Sequence, residues 1–332
     1  MTLNHRERLE NTISGAKVDR PAVSLWRHFP VDDQYPELLA SSTLRFQNTF
    51  DFDFVKISPS SSFCTNDWGT ADVWEGNPEG SRRYTVHPVK SVDEWSKLKK
   101  LSPRAGCLAK QLTCVDLVRK NLQPTTPVIQ TIFSPLSQAK NLVGKYDLIA
   151  QLRLHPQEIK DALQVITDTT IDFLEEATKL GIDGIFFAEQ FAQYSLLTRA
   201  EFVEFGLAFD CQILAAAKAL WFNFGHIHGE NIMFDVMDQL PLKVLNWHDR
   251  ETFPTLAVGK TMTAKALCGG LRQWETLAYG TPESVSAEAL DALQQTQGNR
   301  FILGTGCVTP VIAPDSNIYA AREAVERFAG LK

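Results

Sequence analysis

Short apolar runs rich in β-branched and aromatic residues recur along the chain. Between them lie longer stretches whose apolar positions are spaced for helix. The runs at 22–26, 52–57, 128–133, 184–188, 220–224, 244–247, 266–269 and 301–304 predict eight strands. Predicted helices include 93–100, 108–121, 156–180, 199–219 and 287–296. In 156–180 the apolar residues Ile159, Leu163, Ile166, Ile171 and Leu174 fall on one face. Strands alternating with helices imply parallel pairing, because a parallel crossover needs a dozen or more residues, usually a helix. Eight such strands predict a closed (β/α)8 barrel. The alternative is an open doubly wound sheet, which usually carries a glycine-rich loop after its first strand. The residues at that point are Trp26-Arg27-His28-Phe29-Pro30.

The connection between the second and third strands, 58–126, is unusually long. Its segments Asp67-Trp68-Gly69, Trp74-Glu75-Gly76 and Arg82-Arg83-Tyr84-Thr85-Val86 predict a hairpin excursion over the barrel mouth. The chain has no internal repeat, low-complexity segment or interdomain linker, so residues 1–332 are expected to form one domain.

Composition narrows the function class. A net charge of −6 and the absence of a Lys/Arg-rich run argue against nucleic acid or an anionic membrane as partner. The N-terminus is polar, and no run approaches the roughly 18 apolar residues that span a bilayer. Six cysteines without an export signal are expected as reduced thiols in a cytoplasmic protein.

In a barrel of this type chemistry sits at the carboxyl ends of the strands. There the chain offers Arg27, Lys56, Glu189, His226, His228, His248, Asp249, Arg272 and Cys307. Alternate residues of an extended segment face one way, so His226 and His228 can converge on one point. With Cys307 after the last strand they supply three corners of a tetrahedral zinc site with an open fourth position, the layout of a catalytic site. The plainer alternative is that the histidines are hydrogen-bonded pocket residues and Cys307 a small buried hydrophobe. Asp249 is either a loop cap or an acid/base group. Arg27 and Arg272 are either structural ion pairs or the grip on an anionic substrate.

Two segments are similar to one known superfamily: Gly181-Ile182-Asp183-Gly184-Ile185-Phe186-Phe187-Ala188-Glu189, followed by Leu196-Leu197-Thr198-Arg199-Ala200-Glu201-Phe202, and Gly304-Thr305-Gly306-Cys307-Val308-Thr309-Pro310. The chain resembles uroporphyrinogen decarboxylase and the zinc-dependent methyltransferases related to it. The resemblance implies a (β/α)8 barrel with its site at the strand mouths, and the superfamily implies a homodimer. Two departures separate this chain from the decarboxylases. Their two-arginine motif is here Trp26-Arg27-His28-Phe29-Pro30, which keeps only Arg27. Their aspartate after the second strand is absent from Val55-Lys56-Ile57-Ser58-Pro59-Ser60. A tetrapyrrole would then leave its N–H donors unpaired, at about 1–3 kcal/mol for each buried group.

The methyltransferase branch carries His-x-Cys after the fifth strand and a second Cys after the eighth, holding zinc. This chain matches with His226 and Cys307 and has His228 in place of the first Cys. The resemblance therefore implies zinc on His226, His228 and Cys307, with Glu189 as a fourth ligand, activating a thiol for methyl or alkyl transfer. Within that reading His248 and Asp249 handle protons, and Arg27, Lys56 and Arg272 orient an anionic tail. A corrinoid on a partner protein is implied as methyl donor. The competing expectation is a metal-free lyase that decarboxylates a carboxylated substrate with Arg27, Arg272 and His248.

Overall fold

The computed structural model describes residues 2–330. All eight expected strands are present and join in one parallel sheet. In chain order they are β1 Ala22–Val23, β2 Val55–Ile57, β5 Val128–Phe133, β6 Gly184–Glu189, β7 Phe224–Ile227, β8 Val244–Trp247, β9 Ala266–Leu271 and β10 Phe301–Thr305. The sheet order is β1-β10-β9-β8-β7-β6-β5-β2. Its two edges meet: Asp53 N donates to Val23 O at 2.9 Å, and Ser24 Oγ donates to Phe54 O at 2.9 Å. The result is a curled, barrel-like sheet with helices outside it.

Between β2 and β5 lie the antiparallel hairpin of β3 Ala71–Val73 and β4 Arg83–Val86, and the helix Gly106–Asn121. The expected helix at 93–100 is a 3-10 segment, Val92–Lys97. The expected helix at 199–219 runs from Arg199 to Ala216 and widens into a π turn at Val203–Leu207. No helix of the described residues is long and apolar enough to cross a membrane.

One strand differs usefully from expectation. The apolar run at 220–224 is mostly an approach to β7, which starts at Phe224 and continues through His226. The Asn223 side chain holds that approach, accepting from Ile185 N and donating to Ala217 O. Gly184 makes room for it, since a Cβ there would sit 1.8 Å from Phe222 O.

The barrel interior below the mouth is a plug of aromatic rings. Trp26 meets Phe186 edge-on at 5.3 Å between centroids, Phe54 meets Phe222 at 5.0 Å, and Phe186 stacks on Phe224 at 5.1 Å. Such pairs add about 0.5–1.5 kcal/mol each beyond the area they bury. The opposite end is closed by the helix His5–Ser14. Arg8 and Arg20 each reach the buried carboxylate of Asp53 at 2.7 Å, and Asp53 also accepts from Val23 N at 2.8 Å.

Candidate metal centre and substrate cavity

Directly above the aromatic plug, at the carboxyl ends of the strands, four metal-binding side chains converge. His226 from β7, His228 just beyond it, His248 after β8 and Cys307 after β10 offer ligand atoms that all lie within 4.8 Å of one another. The imidazole centroids are 5.4–6.2 Å apart, and Cys307 Sγ lies 3.9 Å from His228 Nδ1. His226 stacks on Phe186, so the plug sets its height. Gly306 lets the Cys307 loop press against its neighbour: a Cβ there would sit 2.8 Å from His248 Cα.

The donor chemistry fits a metal. His226 Nδ1 lies 2.7 Å from Asn246 Oδ1, and His248 Nδ1 lies 3.4 Å from Glu251 Oε2. In both rings the other nitrogen, Nε2, is buried with no partner. Metal-bound histidines typically show this division, one nitrogen held from behind and the other free for the ion. Burial, reinforced by the neighbouring rings and lysines, pushes His226 well below the ordinary imidazole range and His228 to about 3. His248 also shifts down, through burial. Neutral imidazoles are the form a metal needs. Burial, with Glu79 next, pushes the Cys307 thiol up to about 12, so a bound metal would have to displace its proton.

His226, His228 and Cys307 of the cluster line a cavity of about 520 Å³, together with Trp26, Lys56, Phe186, Tyr84 and Lys140. Among its lining residues Lys56, Lys140, Lys145 and Glu79 form no salt bridge. Lys56 Nζ donates to Ser58 Oγ at 3.0 Å and lies 4.4 Å from the Phe186 ring centre. Lys140 Nζ donates to Gln190 Oε1 at 2.6 Å. Burial lowers Lys56 to about 7, and burial together with Lys145 lowers Lys140 to about 8. The arginines of the hairpin are already engaged, Arg82 with Asp72 and Asp33, Arg83 with Glu75.

The family model described as Uroporphyrinogen decarboxylase (URO-D) matches residues 4–328. The chain belongs to the uroporphyrinogen decarboxylase family. Within it, the chain is similar to the methylcobamide:CoM methyltransferase MtbA of Methanosarcina mazei, 24% identical over 244 residues, 73% of this chain and 70% of that protein. The same-named protein of Methanosarcina acetivorans is 22% identical over 246 residues, with 73% and 70% covered. Among solved structures, a methyltransferase from Methanosarcina mazei aligns over 98% of this chain and 99% of its own, with TM-score 0.85 and 19% identity. A B12-independent methionine synthase from Shewanella sp. W3-18-1, in complex with selenomethionine, aligns over 94% and 96%, with TM-score 0.60 and 14% identity. At those identities the structural likeness is one of fold.

On this family scaffold several expected site residues fall elsewhere. Glu189 ends β6 on the face away from the cavity, because Phe186 and Ala188 take the inward positions. Its carboxyl accepts from Phe191 N and pairs with Asp210 and Ser134, so it does not join the metal-binding group. Asp249 is buried behind the strands, where Oδ1 accepts from Gly270 N at 3.0 Å and burial raises it to about 7. Arg27 turns into a separate cleft, 5.5 Å from Phe29 and 6.0 Å from Phe46. Arg272 is half-exposed and paired with Glu288 at 3.3 Å. Both arginines that the decarboxylase reading relied on therefore lie outside the cavity. His248 stands among the metal donors instead of beside them. Lys140 reaches the cavity from one and a half turns inside the helix Pro135–Val143, beyond any strand end, where no strand period aims a side chain.

Glu189 and Asp210 form a buried acid pair. Burial raises Asp210 well above the carboxylate range, and the facing Glu189 adds to it. The folded state thus keeps a proton that the unfolded chain releases above about pH 4. The associated stability is full below that pH and is lost as pH rises. Asp210→Asn is expected to abolish the loss, gaining on the order of 1 kcal/mol over the parent at pH 8 and much less at pH 4. Urea unfolding at the two pH values checks this, and equal differences at both would refute it.

Proposed function

We propose that this protein is a zinc-dependent methyltransferase that passes a methyl group from a corrinoid donor to a small thiol bearing an acidic group. The convergence of His226, His228, His248 and Cys307, three of which line the cavity, carries the reading. The methyltransferases among its relatives support the reaction class.

Zinc held by three of these donors would leave its fourth position to the substrate thiol and would lower that thiol's pKa, so that the thiolate nucleophile exists at neutral pH. The chain's own residues do the rest. With Cys307 as the one thiolate among neutral imidazoles, the zinc site would carry one net positive charge, which favours an anionic sulfur. Trp26 and Phe186 form a dry wall beside it, which strengthens every electrostatic contact made there. Lys56 and Lys140, both lining the cavity, hold the acidic group and fix the orientation of the sulfur. In the transfer the C–S bond forms as the Co–C bond breaks, cobalt keeps the electron pair, and the thiol proton leaves to solvent. Exposed aromatic residues beyond the strand ends, Tyr146 in the helix Lys145–Leu154 and Tyr194, Phe253 and Tyr279 in connecting segments, suit the docking of a donor-carrying partner.

The test is purification without chelator, metal analysis, and incubation with methylcobalamin and 3-mercaptopropionate. Expected are about one zinc per chain and formation of the S-methyl product, both lost after chelation. A protein without zinc, whose stability chelators leave unchanged, would end the proposal. Lys140→Met separates the acid-binding role from the metal. Losing a charge-assisted hydrogen bond of about 1.5–3 kcal/mol should raise KM for 3-mercaptopropionate about tenfold or more. Zinc content and KM for neutral 2-mercaptoethanol should stay near parental values. An equal change for both thiols would place the acid group elsewhere.

A further inference from the structure

Asn246 is fully buried in β8, at the last pair of the β8–β9 ladder, opposite Cys268. Where the backbone pairing of these strands stops, its side chain takes over. Nδ2 donates to Cys268 O on β9 at 3.0 Å and to Thr305 O at the end of β10 at 2.8 Å. Carbonyl oxygens only accept, so the NH2 end of the amide must face them and Oδ1 must face His226 Nδ1, 2.7 Å away. An acceptor in that place requires Nδ1 to hold the imidazole proton. The lone pair is then on Nε2, the atom that is buried without a partner in a residue of the metal-binding group. Thr305 stands two residues before Cys307. One amide therefore fixes the tautomer and orientation of the first imidazole and also clamps the strand that delivers the thiolate.

We infer that Asn246 is the positioning residue of this metal centre, presetting both His226 and Cys307 before any ion arrives. The inference rests on the metal reading of the four donors and adds a role for a residue outside them. It has two consequences. The protein without metal already holds His226 in the Nδ1–H form. Removing the amide weakens metal binding even though no ligand is touched, because the imidazole can rotate and change tautomer and the Cys307 strand loses its tie.

Nitrogen-15 NMR of the metal-free wild type reads the tautomer directly. The expected result is a protonated Nδ1 and an unprotonated Nε2 at His226. The variant Asn246→Leu, close in volume, is then titrated with zinc against a chromophoric chelator. Affinity should fall about 10–100-fold, as for other groups that orient metal-bound histidines, and the visible spectrum of the cobalt(II)-loaded protein should change. Ser24→Ala is the control for simple destabilisation. It removes a buried bond to Phe54 O at the sheet edges and should leave zinc affinity unaltered. A folded Asn246→Leu protein with zinc affinity within about threefold of wild type would overturn the inference, given the range expected for such residues. So would a wild-type His226 with its proton on Nε2, and that measurement decides alone if the leucine variant does not fold. Failure of the underlying metal reading shows separately, as a wild type that takes up no zinc.

Discussion

His228→Ala is expected to lose nearly all bound zinc and all methyl transfer while remaining folded. Its ring supplies one of four donors and stands 5.4 Å from His248 and 5.6 Å from His226, so no neighbouring side chain can take its place without moving the cluster. Zinc affinity should drop about a hundredfold or more, since removing a ligand should cost at least as much as removing a group that only orients one. Stability is another matter. A small zinc domain unfolds without its ion, whereas this centre sits on top of a core already closed by Trp26, Phe54, Phe186, Phe222 and Phe224. The thermal midpoint of metal-free His228→Ala should therefore match that of the metal-free parent. His228→Cys should bind zinc again, because thiolate and imidazole both suit a tetrahedral site at about 2.0–2.3 Å. Full zinc content and activity in His228→Ala would reduce the residue to a cavity wall.

Asp53→Ala should produce the largest loss of stability. The carboxylate is completely buried at the opposite end of the barrel, and Arg8, Arg20, His5 and Val23 N all converge on it. Its removal leaves Arg8 with Asp19 alone and Arg20 with the exposed Glu326 alone, and breaking a buried ion pair from one side costs about 3–5 kcal/mol. Burial works against ionisation of Asp53, but the bonds from His5, Arg20 and Arg8 outweigh it and hold the group well below the usual carboxylate range. A depressed pKa contributes stability that is complete above about pH 4 and vanishes as the pH falls through the folded value. The parent should accordingly lose stability in acid, and Asp53→Ala should be less sensitive over the same interval. Chemical unfolding from pH 3 to 7 measures both, and a variant within about 1 kcal/mol of the parent would contradict the assignment.

The alternation of apolar runs and helical stretches made the barrel legible, because parallel strands buried on both faces read as continuous apolar segments. His226, His228 and Cys307 were legible for a related reason: they follow such runs directly, and the period of two puts both histidines on the inward face. The same rule shows why Glu189 fails as a ligand. It lies one residue past the inward-facing Ala188, and a single step turns a side chain to the other face of the sheet. Arg27 and Arg272 show a different limit. Loop residues beyond a strand end have no periodicity to aim them, and here one faces Phe29 and the other Glu288. Lys140 entered the cavity from a helix, and only the packing of that helix against β6 could reveal it.

The four donors are gathered from the ends of three strands, β7, β8 and β10, and the last of them lies 79 residues beyond His228. A growing chain emerges with all three imidazoles long before its thiolate. Cys307 reaches them only after β10 has slotted between β9 and β1, the step that brings the first strand into the sheet. On the metal reading proposed above, loading of an ion would therefore wait for the last strand of the sheet. A chain halted before Phe301 would hold an incomplete, all-nitrogen cluster, and full occupancy would report that β10 has joined β9 and β1.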